Sequence, residues 1–306
     1  MATKQPYRFK TITEYCRLAN FPKPAHPLIS IIDMSAVEPL ADYEPISLVA
    51  DFYIISLKRD FKTKVHYGQQ LYDFDEGVLS FMAPNQVFSV EVTAGAERKQ
   101  AGWMLLLHPD FLWNTPLATK IKQYEYFSYA VHEALHLSDQ EEQKVTMVVQ
   151  HIEQEYRGNM DRFSQDVIIA QLDVLLTYSE RFYHRQFLTR RVANHQLLQR
   201  LETVLAAYFT SEALPTIGLP TVQYVADQLN VSPNYLSGLL QVLTGQSTQQ
   251  HIHDKLIEKA KAQLSTTNLS VSEIAYALGF EHAQSFSRLF KTKTSLSPLE
   301  FRQSFN

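Results

Sequence analysis

The stretch Ser270–Phe301, SVSEIAYALGFEHAQSFSRLFKTKTSLSPLEF, decides the fold of the second half of the chain. Apolar residues recur in it at helical spacing on either side of Gly279, and these are Ile274, Ala275, Leu278, Phe286, Leu289 and Phe290. Apolar residues at i, i+3 and i+4 mark the buried face of a helix, and glycine permits a tight turn. The stretch therefore predicts a short helix, a turn and a second helix, which together make a helix-turn-helix unit.

An earlier stretch, from Thr221 to Gly245, repeats this pattern. A shift of 49 residues relates Val225, Ala226, Leu229 and Val231 to Ile274, Ala275, Leu278 and Phe280. A shift of 50 residues relates Leu236, Leu239, Leu240 and Gly245 to Phe286, Leu289, Phe290 and Ser295, so the offset slips by one inside the turn. An internal repeat indicates two copies of one supersecondary unit. We expect the small Ala226 and Ala275 to lie where the helices of each unit cross.

Capping residues give the predicted helices their starts. Thr221 precedes the first helix of the first unit, Ser270 with Glu273 forms a capping box for the second, and Ser297-Pro298 with Glu300 begins a final short helix. Between the units, Thr248–Leu264 predicts a connecting helix whose apolar face comprises Ile252, Leu256, Ile257, Ala260 and Leu264. Its 17 residues span roughly 25 Å. With a helix-turn-helix unit at each end, this approaches the ~34 Å between successive major-groove contacts on one side of a duplex.

The first half of the chain has a different pattern. Short β-branched or aromatic runs separated by turn residues predict strands at Leu28–Met34, Ile46–Leu57, Val78–Met82, Val87–Val92 and Trp103–Leu107. Their spacing predicts an antiparallel β-barrel or sandwich. Helical periods follow at Glu142–Tyr156 and Phe163–Phe187, the latter with Ser164 as its expected cap. The whole chain is therefore expected to be α+β, with an all-α second half.

The length of 306 residues suits two domains. Thr189–Ala193 has few apolar side chains, so we place a linker at 189–196 between a domain at 1–188 and a domain at 197–306. The apolar stripes of the two long helices can pack on the barrel or on a second subunit, and packing within the chain is the interpretation we favour.

Several motifs of the second half resemble the DNA-binding domain of AraC/XylS-type transcription regulators. They are Ser232-Pro233-Asn234-Tyr235-Leu236-Ser237, Ile274-Ala275, Gly279-Phe280, Phe286-Ser287-Arg288-Leu289-Phe290-Lys291 and Ser297-Pro298-x-x-Phe301-Arg302. The resemblance implies a DNA-binding regulator in which two recognition helices contact successive major grooves. It implies double-stranded DNA as the partner, RNA polymerase as a further partner, and a homodimer as a candidate assembly.

The resemblance also implies which side chains contact DNA. In the first recognition helix these are Asn234, Ser237, Gly238 and Gln241; in the second they are Gln284, Ser285, Ser287, Arg288 and, toward phosphate, Lys291 and Lys293. Gln and Asn can pair with adenine, Arg with guanine, and Lys with phosphate oxygens. Arg288 is the best single candidate for specificity.

The charge balance departs from that family pattern. Gly238 and Gln241 leave the first recognition helix uncharged, and from His195 onward eight Lys and Arg residues face eight Asp and Glu residues. Since phosphate neutralisation supplies nearly all non-specific affinity, we expect a monomer to show weak non-specific binding and a shallow salt dependence. Dimerisation would then be needed for tight sites.

The first half is similar in outline to the cupin-like sensory domains of such regulators, which implies a small-molecule effector or a dimer contact. Aromatic residues on the predicted strands are candidates to line an effector pocket, or else belong to the plain core: Tyr53, Tyr67, Tyr72, Phe74, Phe81, Phe88 and Trp103.

Two constellations are compatible with an enzyme. His132-Glu133-Ala134-Leu135-His136 matches H-E-x-x-H, but Leu137-Ser138-Asp139 predicts a stop and a new cap, so the helix that zinc chemistry needs would be short. His66, Glu76 and His108 do not form the compact His-x-His cluster of metal-dependent cupins. No Gly-x-Gly-x-x-Gly, Walker or Gly-x-Ser-x-Gly motif is present. We therefore expect no enzyme activity, no cofactor and no metal.

The remaining features concern location. A single cysteine, Cys16, excludes a disulfide scaffold, and no apolar run approaches the ~20 residues of a membrane span. We expect a cytoplasmic protein without a membrane partner. Two alternatives stay open: a metal-dependent cupin-like enzyme, and an interaction protein whose helix-turn-helix units have lost DNA affinity.

Overall fold

The computed structural model of this protein describes residues 7–36, 46–59, 61–67, 70–74, 77–90, 101–129, 133–158, 160–189, 191–211 and 214–304. The chain divides into two compact units, residues 1–186 and 187–306.

The described part of the first unit contains ten strands. They are β1 (Tyr7–Phe9), β2 (Ile29–Asp33), β3 (Ile46–Ala50), β4 (Tyr53–Arg59), β5 (Phe61–Tyr67), β6 (Gln70–Phe74), β7 (Val78–Met82), β8 (Val87–Val90), β9 (Ala101–Leu107) and β10 (Leu135–His136). An antiparallel sheet of five strands has the order β10-β7-β4-β9-β2. A second sheet, β1-β3-β8, pairs β1 parallel to β3, and β5 and β6 form a hairpin.

These sheets differ from the predicted barrel in two respects. The described strands lie in three sheets, none of which closes on itself, and one strand pair is parallel. The run Ile46–Leu57, predicted as one strand, forms two strands that belong to different sheets. The chain leaves the ladder between them at Asp51, whose backbone N–H donates to Phe9 O at 2.9 Å and whose carboxylate pairs with Arg8 at 2.7 Å. The run is continuously apolar, so its pattern carries no signal for this break.

The two faces of the five-stranded sheet are covered by different parts of the first unit. One face packs in a core with β1, β3 and the first helix, and this core contains Phe9, Ile12, Cys16, Phe52, Ile54, Met104 and Leu106. The other face meets the long helices. There the Tyr156 hydroxyl accepts a hydrogen bond from Ile31 N at 2.9 Å, and Trp103 Nε1 donates to Thr146 Oγ1 at 3.1 Å. The sheet thus has an apolar layer on each of its faces.

The described residues of the first unit form four α-helices, the last of which continues to Thr189: α1 (Ile12–Leu18), α2 (Leu117–Lys120), α3 (Asp139–Arg157) and α4 (Ser164–Thr189). The predicted cap at Ser138 is confirmed, because Ser138 and Glu141 form a capping box at the start of α3. The predicted cap at Ser164 is wrong. Asp161 Oδ1 accepts from Phe163 N at 2.7 Å and from Ser164 N at 3.1 Å, while Ser164 Oγ donates to Glu155.

The second unit begins in the last turn of α4 and is helical throughout its described part. Its other helices are α5 (Arg191–Thr210), α6 (Leu214–Ile217), α7 (Val222–Leu229), α8 (Pro233–Thr244), α9 (Thr248–Thr266), α10 (Val271–Ala277), α11 (Ala283–Thr294) and α12 (Pro298–Gln303). The stretch 189–196 lies mostly within α5, where the buried Asn194 amide donates to Phe187 O. Throughout the described ranges, no helix has the length and apolar character required to cross a bilayer.

The predicted connecting helix is confirmed as α9. Its predicted apolar face is buried in the core of the second unit: Ile252, Leu256, Ile257, Ala260 and Leu264. The core also takes apolar residues from both halves of the repeat, including Val225, Ala226, Leu236, Ile274, Ala275, Phe286 and Phe290. Helix α9 therefore serves as the common support on which both helix-turn-helix units pack.

Candidate nucleic-acid interface

The repeat seen in the sequence is a structural repeat. Helices α7 and α8 form one helix-turn-helix unit, and α10 and α11 form the other. In each turn the first residue has a left-handed backbone: Asn230 has φ 55° and Gly279 has φ 83°. The next residue closes the turn with the same bond, Val231 N to Ala226 O at 3.1 Å and Phe280 N to Ala275 O at 3.0 Å. The two units therefore share their turn geometry as well as their apolar pattern.

The second helices of the two units, α8 and α11, also end in the same way, at a residue with a left-handed backbone. Helix α8 stops at Gly245 with φ 72°, and α11 stops at Ser295 with φ 65°. Ala226 and Ala275 are fully buried, as expected for small residues between the helices of each unit. The second turn lies especially close to its surroundings, because a Cβ placed on Gly279 would lie 3.0 Å from Leu214 O.

The one-residue slip of the repeat lies in the turn. Two residues separate the left-handed Asn230 from Pro233, where α8 starts, whereas three separate Gly279 from Ala283, where α11 starts. Consequently Ser232 caps α8 and its side chain accepts from Tyr235 N, but His282 stands at the cap of α11 without a side-chain cap bond. The free N–H groups and the dipole at such a helix start favour a negative charge.

The predicted contact residues of α8 differ in their exposure and in their hydrogen-bond partners. Asn234 and Gln241 are exposed, whereas Ser237 and Gly238 are half-buried. Ser237 Oγ lies 3.0 Å from Thr248 Oγ1 on α9, and Gln241 Nε2 donates to Gly245 O at 3.2 Å. No residue of α8 is charged. This helix presents a neutral, polar surface.

The predicted contact residues of α11 form a more open and more basic surface. Gln284, Ser285, Arg288 and Lys291 are exposed, and Ser287 is half-buried. Gln284, Arg288 and Lys291 follow one another at i, i+4 and i+7, so they share one helix face. Helix α11 contains no carboxylate. We name the face of Gln284, Arg288 and Lys291 the α11 face; its two cations and one amide can meet phosphates and base edges.

Lys293 has a partner that its sequence position did not indicate. Its Nζ lies 2.7 Å from Asp254 Oδ1 on α9, and the Gln246 amide donates to Asp254 Oδ2 at 2.9 Å. Thr244 Oγ1 on α8 and His251 Nε2 on α9 lie 2.9 Å apart and link these two helices. Burial lowers the pKa of His251. Lys293 and Asp254 are 39 positions apart in sequence, and the helical periodicity gives no indication that they pair.

The candidate pocket residues with described side chains are packed. Tyr53, Phe81 and Trp103 lie on the helix-facing side of the five-stranded sheet, and each is at least nine-tenths buried. The Phe81 ring centroid lies 4.5 Å from that of Tyr126, and the Tyr53 centroid lies 5.1 Å from that of Phe127. The side chains of Tyr67, Tyr72, Phe74 and Phe88 lie outside the described part of the chain.

The two enzyme-like constellations do not assemble in the described residues. His132 and Glu76 lie outside them, as does the side chain of His66. Glu133 is buried, and His136 belongs to strand β10, paired with Val78, so the second histidine of H-E-x-x-H stands on a strand rather than a helix. His108 accepts a hydrogen bond from Asp110 N at 3.3 Å. Within the described ranges no group of three His, Cys, Asp or Glu residues is placed to hold a metal ion.

Comparisons with known proteins agree with this geometry. Residues 225–304 match the family model of a helix-turn-helix domain. The chain is 36% identical over 86 residues to the transcriptional regulator YijO of Escherichia coli, covering 28% of this chain and 30% of YijO. It is 38% identical over 78 residues to the arabinose operon regulatory protein of Escherichia coli, covering 26% of this chain and 27% of that protein.

A longer match extends toward the first unit. The chain is 29% identical over 163 residues to the transcriptional activator RhaS of Escherichia coli, covering 53% of this chain and 54% of RhaS. The chain thus spans about 30% of YijO, and less than two thirds of each of these relatives.

Proposed function

We propose that this chain, whose residues 225–304 form an AraC-type helix-turn-helix domain, is a sequence-specific, non-enzymatic DNA-binding transcription regulator. The observation that carries the proposal is the α11 face, an exposed helix face with two cations and no carboxylate on the second helix of a helix-turn-helix unit. In such units the second helix enters the major groove while the first crosses the backbone.

The two recognition helices have different roles in this proposal. Helix α11 supplies base contacts through Gln284, Ser285, Ser287 and Arg288 and phosphate contacts through Lys291 and Lys293. Helix α8 supplies neutral contacts through Asn234, Ser237, Gly238 and Gln241. Helix α9 has 19 residues, a length of about 28 Å, which supports placement of the two helices in successive major grooves.

The first unit is proposed to be a cupin-like sensory domain at 1–188, followed by a linker at 189–196 and the DNA-binding domain at 197–306. A small effector would act through a difference in affinity between DNA-competent and DNA-incompetent arrangements. Regulation implies RNA polymerase as a further partner, and a DNA partner together with a buried free Cys16 fits the cytoplasm.

We also propose that two copies pair through α4. Phe163, which directly precedes α4, forms a stripe at i, i+4 and i+11 with Val167 and Val174 on α4, and the three residues are 53%, 42% and 42% exposed. We name these residues the α4 stripe. Apolar side chains at this spacing form the seam of a helix pair. A homodimer doubles the number of recognition helices, which compensates for the even charge balance of residues 195–306.

Selection of bound duplexes from a random DNA pool at fixed salt tests the proposal. Wild type should enrich a motif that spans two adjacent major grooves. Arg288→Ala should relax specificity at one position, with a cost of about 1–3 kcal/mol for the preferred base. Lys291→Ala is the matched control on the same face: it should weaken all sequences alike and reduce the salt slope by about 1.

The selection also separates the alternative functions. A folded wild type that enriches no motif, with or without cell extract as a source of effector, would contradict the proposal and favour an interaction protein with a degenerate DNA-binding domain. Stoichiometric zinc in the purified protein, lost in His132→Ala, would instead favour a metal-dependent enzyme.

A further inference from the structure

One carboxylate on α9 joins the ends of the two recognition helices. Asp254 Oδ1 pairs with Lys293 in the last turn of α11, and Asp254 Oδ2 accepts from Gln246, which directly follows the C-cap of α8. One oxygen of the carboxylate is therefore bonded to α11 and the other to the loop that follows α8. The three residues are separated in sequence by eight and 39 positions.

We propose that Asp254 is a positioning residue that sets the separation and the angle of α8 and α11, and thereby the distance between the two half-sites that one chain recognises. The inference rests on the proposed function and deepens it, because it names the residue that determines half-site spacing. Asp254 itself need not touch DNA.

The other contacts of α9 explain why this carboxylate matters. Ser237 to Thr248 and Thr244 to His251 are polar links that hold α8 on the first turns of α9. Helix α11 meets α9 through apolar side chains, including Phe286 and Phe290 in the shared core. Apolar packing is non-directional, whereas hydrogen bonds constrain both distance and angle. The Lys293–Asp254 bond is therefore a directional restraint between α11 and α9 in the described part of the chain.

The same geometry predicts that removing Asp254 leaves the protein folded. The side chains of Lys293 and Asp254 remain 26% and 43% exposed, and ion pairs that water reaches contribute little to folding stability. Lys293 also keeps two further N–H donors, so the pair is compatible with a phosphate contact by the same ammonium. Asp254→Ala should thus change the distance and angle between α8 and α11 more than it changes the free energy of unfolding.

The first test measures the geometry in the full chain without DNA. Spin labels on cysteines placed at Gln241 and Thr292, both exposed, report the distance between α8 and α11 by pulsed electron resonance. The native Cys16 is buried and should not react. Asp254→Ala should broaden the distance distribution, and Lys293→Met, which removes only the bond to α11, should do the same.

Glu258→Ala is the matched control. It removes one negative charge from the same helix and breaks a pair with Lys255 that lies within α9. It should leave the distribution unchanged. An unchanged distribution in both Asp254→Ala and Lys293→Met would overturn the inference, as would equal broadening in the control.

The second test measures half-site spacing on DNA. Wild type should prefer the selected spacing over duplexes with one or two base pairs more or fewer between half-sites. Asp254→Ala should reduce that preference about five-fold, the factor expected for one hydrogen bond of ordinary strength. An unchanged spacing preference in a variant that still binds would also overturn the positioning role. Failure of wild type to bind any duplex would overturn the proposed function, while the spin-label distances still judge the role of Asp254 in the free protein.

Discussion

Asn230 and Gly279 occupy the same position in the two helix-turn-helix units, and both have a left-handed backbone, with φ 55° and 83°. Asparagine tolerates this conformation and glycine adopts it without strain. The surroundings differ, because a Cβ at position 279 would lie 3.0 Å from Leu214 O and 3.1 Å from Gly218 Cα. The second turn thus requires the absence of a side chain at position 279 in addition to a left-handed backbone.

Gly279→Ala should therefore destabilise the second unit by about 1–3 kcal/mol, of which about 1–2 kcal/mol arises from the left-handed backbone. Asn230→Gly is the control and should cost nothing. Chemical unfolding followed by circular dichroism checks both variants. Trp103 and Trp113 both lie in the first unit, so the unfolding midpoint measured by their fluorescence should be the same in the variants as in wild type. A Gly279→Ala protein as stable as wild type would show that the turn relaxes without cost.

Ser295→Gly should stabilise the second unit by about 0.5–1 kcal/mol, since a serine with φ 65° ends α11 where Gly245, with φ 72°, ends α8. The reverse change, Gly245→Ser, should destabilise by a similar amount, because a Cβ there meets no atom within 4 Å and only the backbone conformation matters. Unfolding midpoints of the two variants should move in opposite directions. Parallel shifts would contradict the explanation.

His282→Ser should add the cap that α11 lacks and stabilise the second unit by about 0.5–1 kcal/mol. Ser232→Ala removes the corresponding cap of α8 and should cost about 1 kcal/mol. Thermal unfolding by circular dichroism measures both changes. No gain in His282→Ser would mean that the extra residue in this turn keeps the new hydroxyl away from the helix start.

Acid should weaken the second unit through its capping boxes. Hydrogen bonds from the side chain and backbone of Ser270 lower the pKa of Glu273, and those of Ser297, first from the backbone, lower the pKa of Glu300. A lowered pKa in the folded state stabilises the fold above the ordinary value of 4.5, and this contribution disappears as the pH falls below it.

The double variant Glu273→Gln and Glu300→Gln should therefore lose less stability than wild type between about pH 6 and pH 3, since glutamine keeps the capping geometry and does not titrate. Unfolding midpoints of the second unit at several pH values measure the slope. Glu281→Gln, a carboxylate outside the capping boxes, serves as the control. Equal slopes in all three proteins would contradict the prediction.

Val174→Glu should convert a dimer to a monomer, because it places a charge at the C-terminal end of the α4 stripe. Met147→Glu is the matched control, since Met147 on α3 is also exposed, at 52%, and lies outside the stripe. Analytical ultracentrifugation over a range of concentrations gives the oligomeric state. A wild type that stays monomeric at every concentration would contradict the proposed pairing.

Much of the second unit could be predicted from the sequence because its signals are local. The caps Thr221, Ser270 and Ser297 and the apolar face of α9 are all confirmed. Each depends on residues within a few positions of one another, which is the range over which helix patterns carry information. The one-residue slip of the repeat also indicated the longer second turn.

The parts that could not be predicted depend on contacts between distant residues. The break at Asp51 is set by β1, some 40 residues earlier, and the strand β1 itself is too short to show alternation. In the candidate interface, Arg288 and Lys291 were predicted from the family resemblance, whereas the attachment of Lys293 to Asp254 required the fold. Sequence patterns indicate which residues face outward and give no information on which of these pair.

Because α8 is neutral and α11 is cationic, the two halves of a DNA site bound by this chain meet different side chains, and the site has a direction. If the two recognition helices were identical, each half-site would meet the same side chains whichever helix occupied it. Here a neutral helix and a cationic helix are held by one connecting helix, so reversal of the chain on the DNA exchanges unlike contacts. Under the proposed function, the DNA sequence alone then fixes which end of the protein faces a neighbouring promoter.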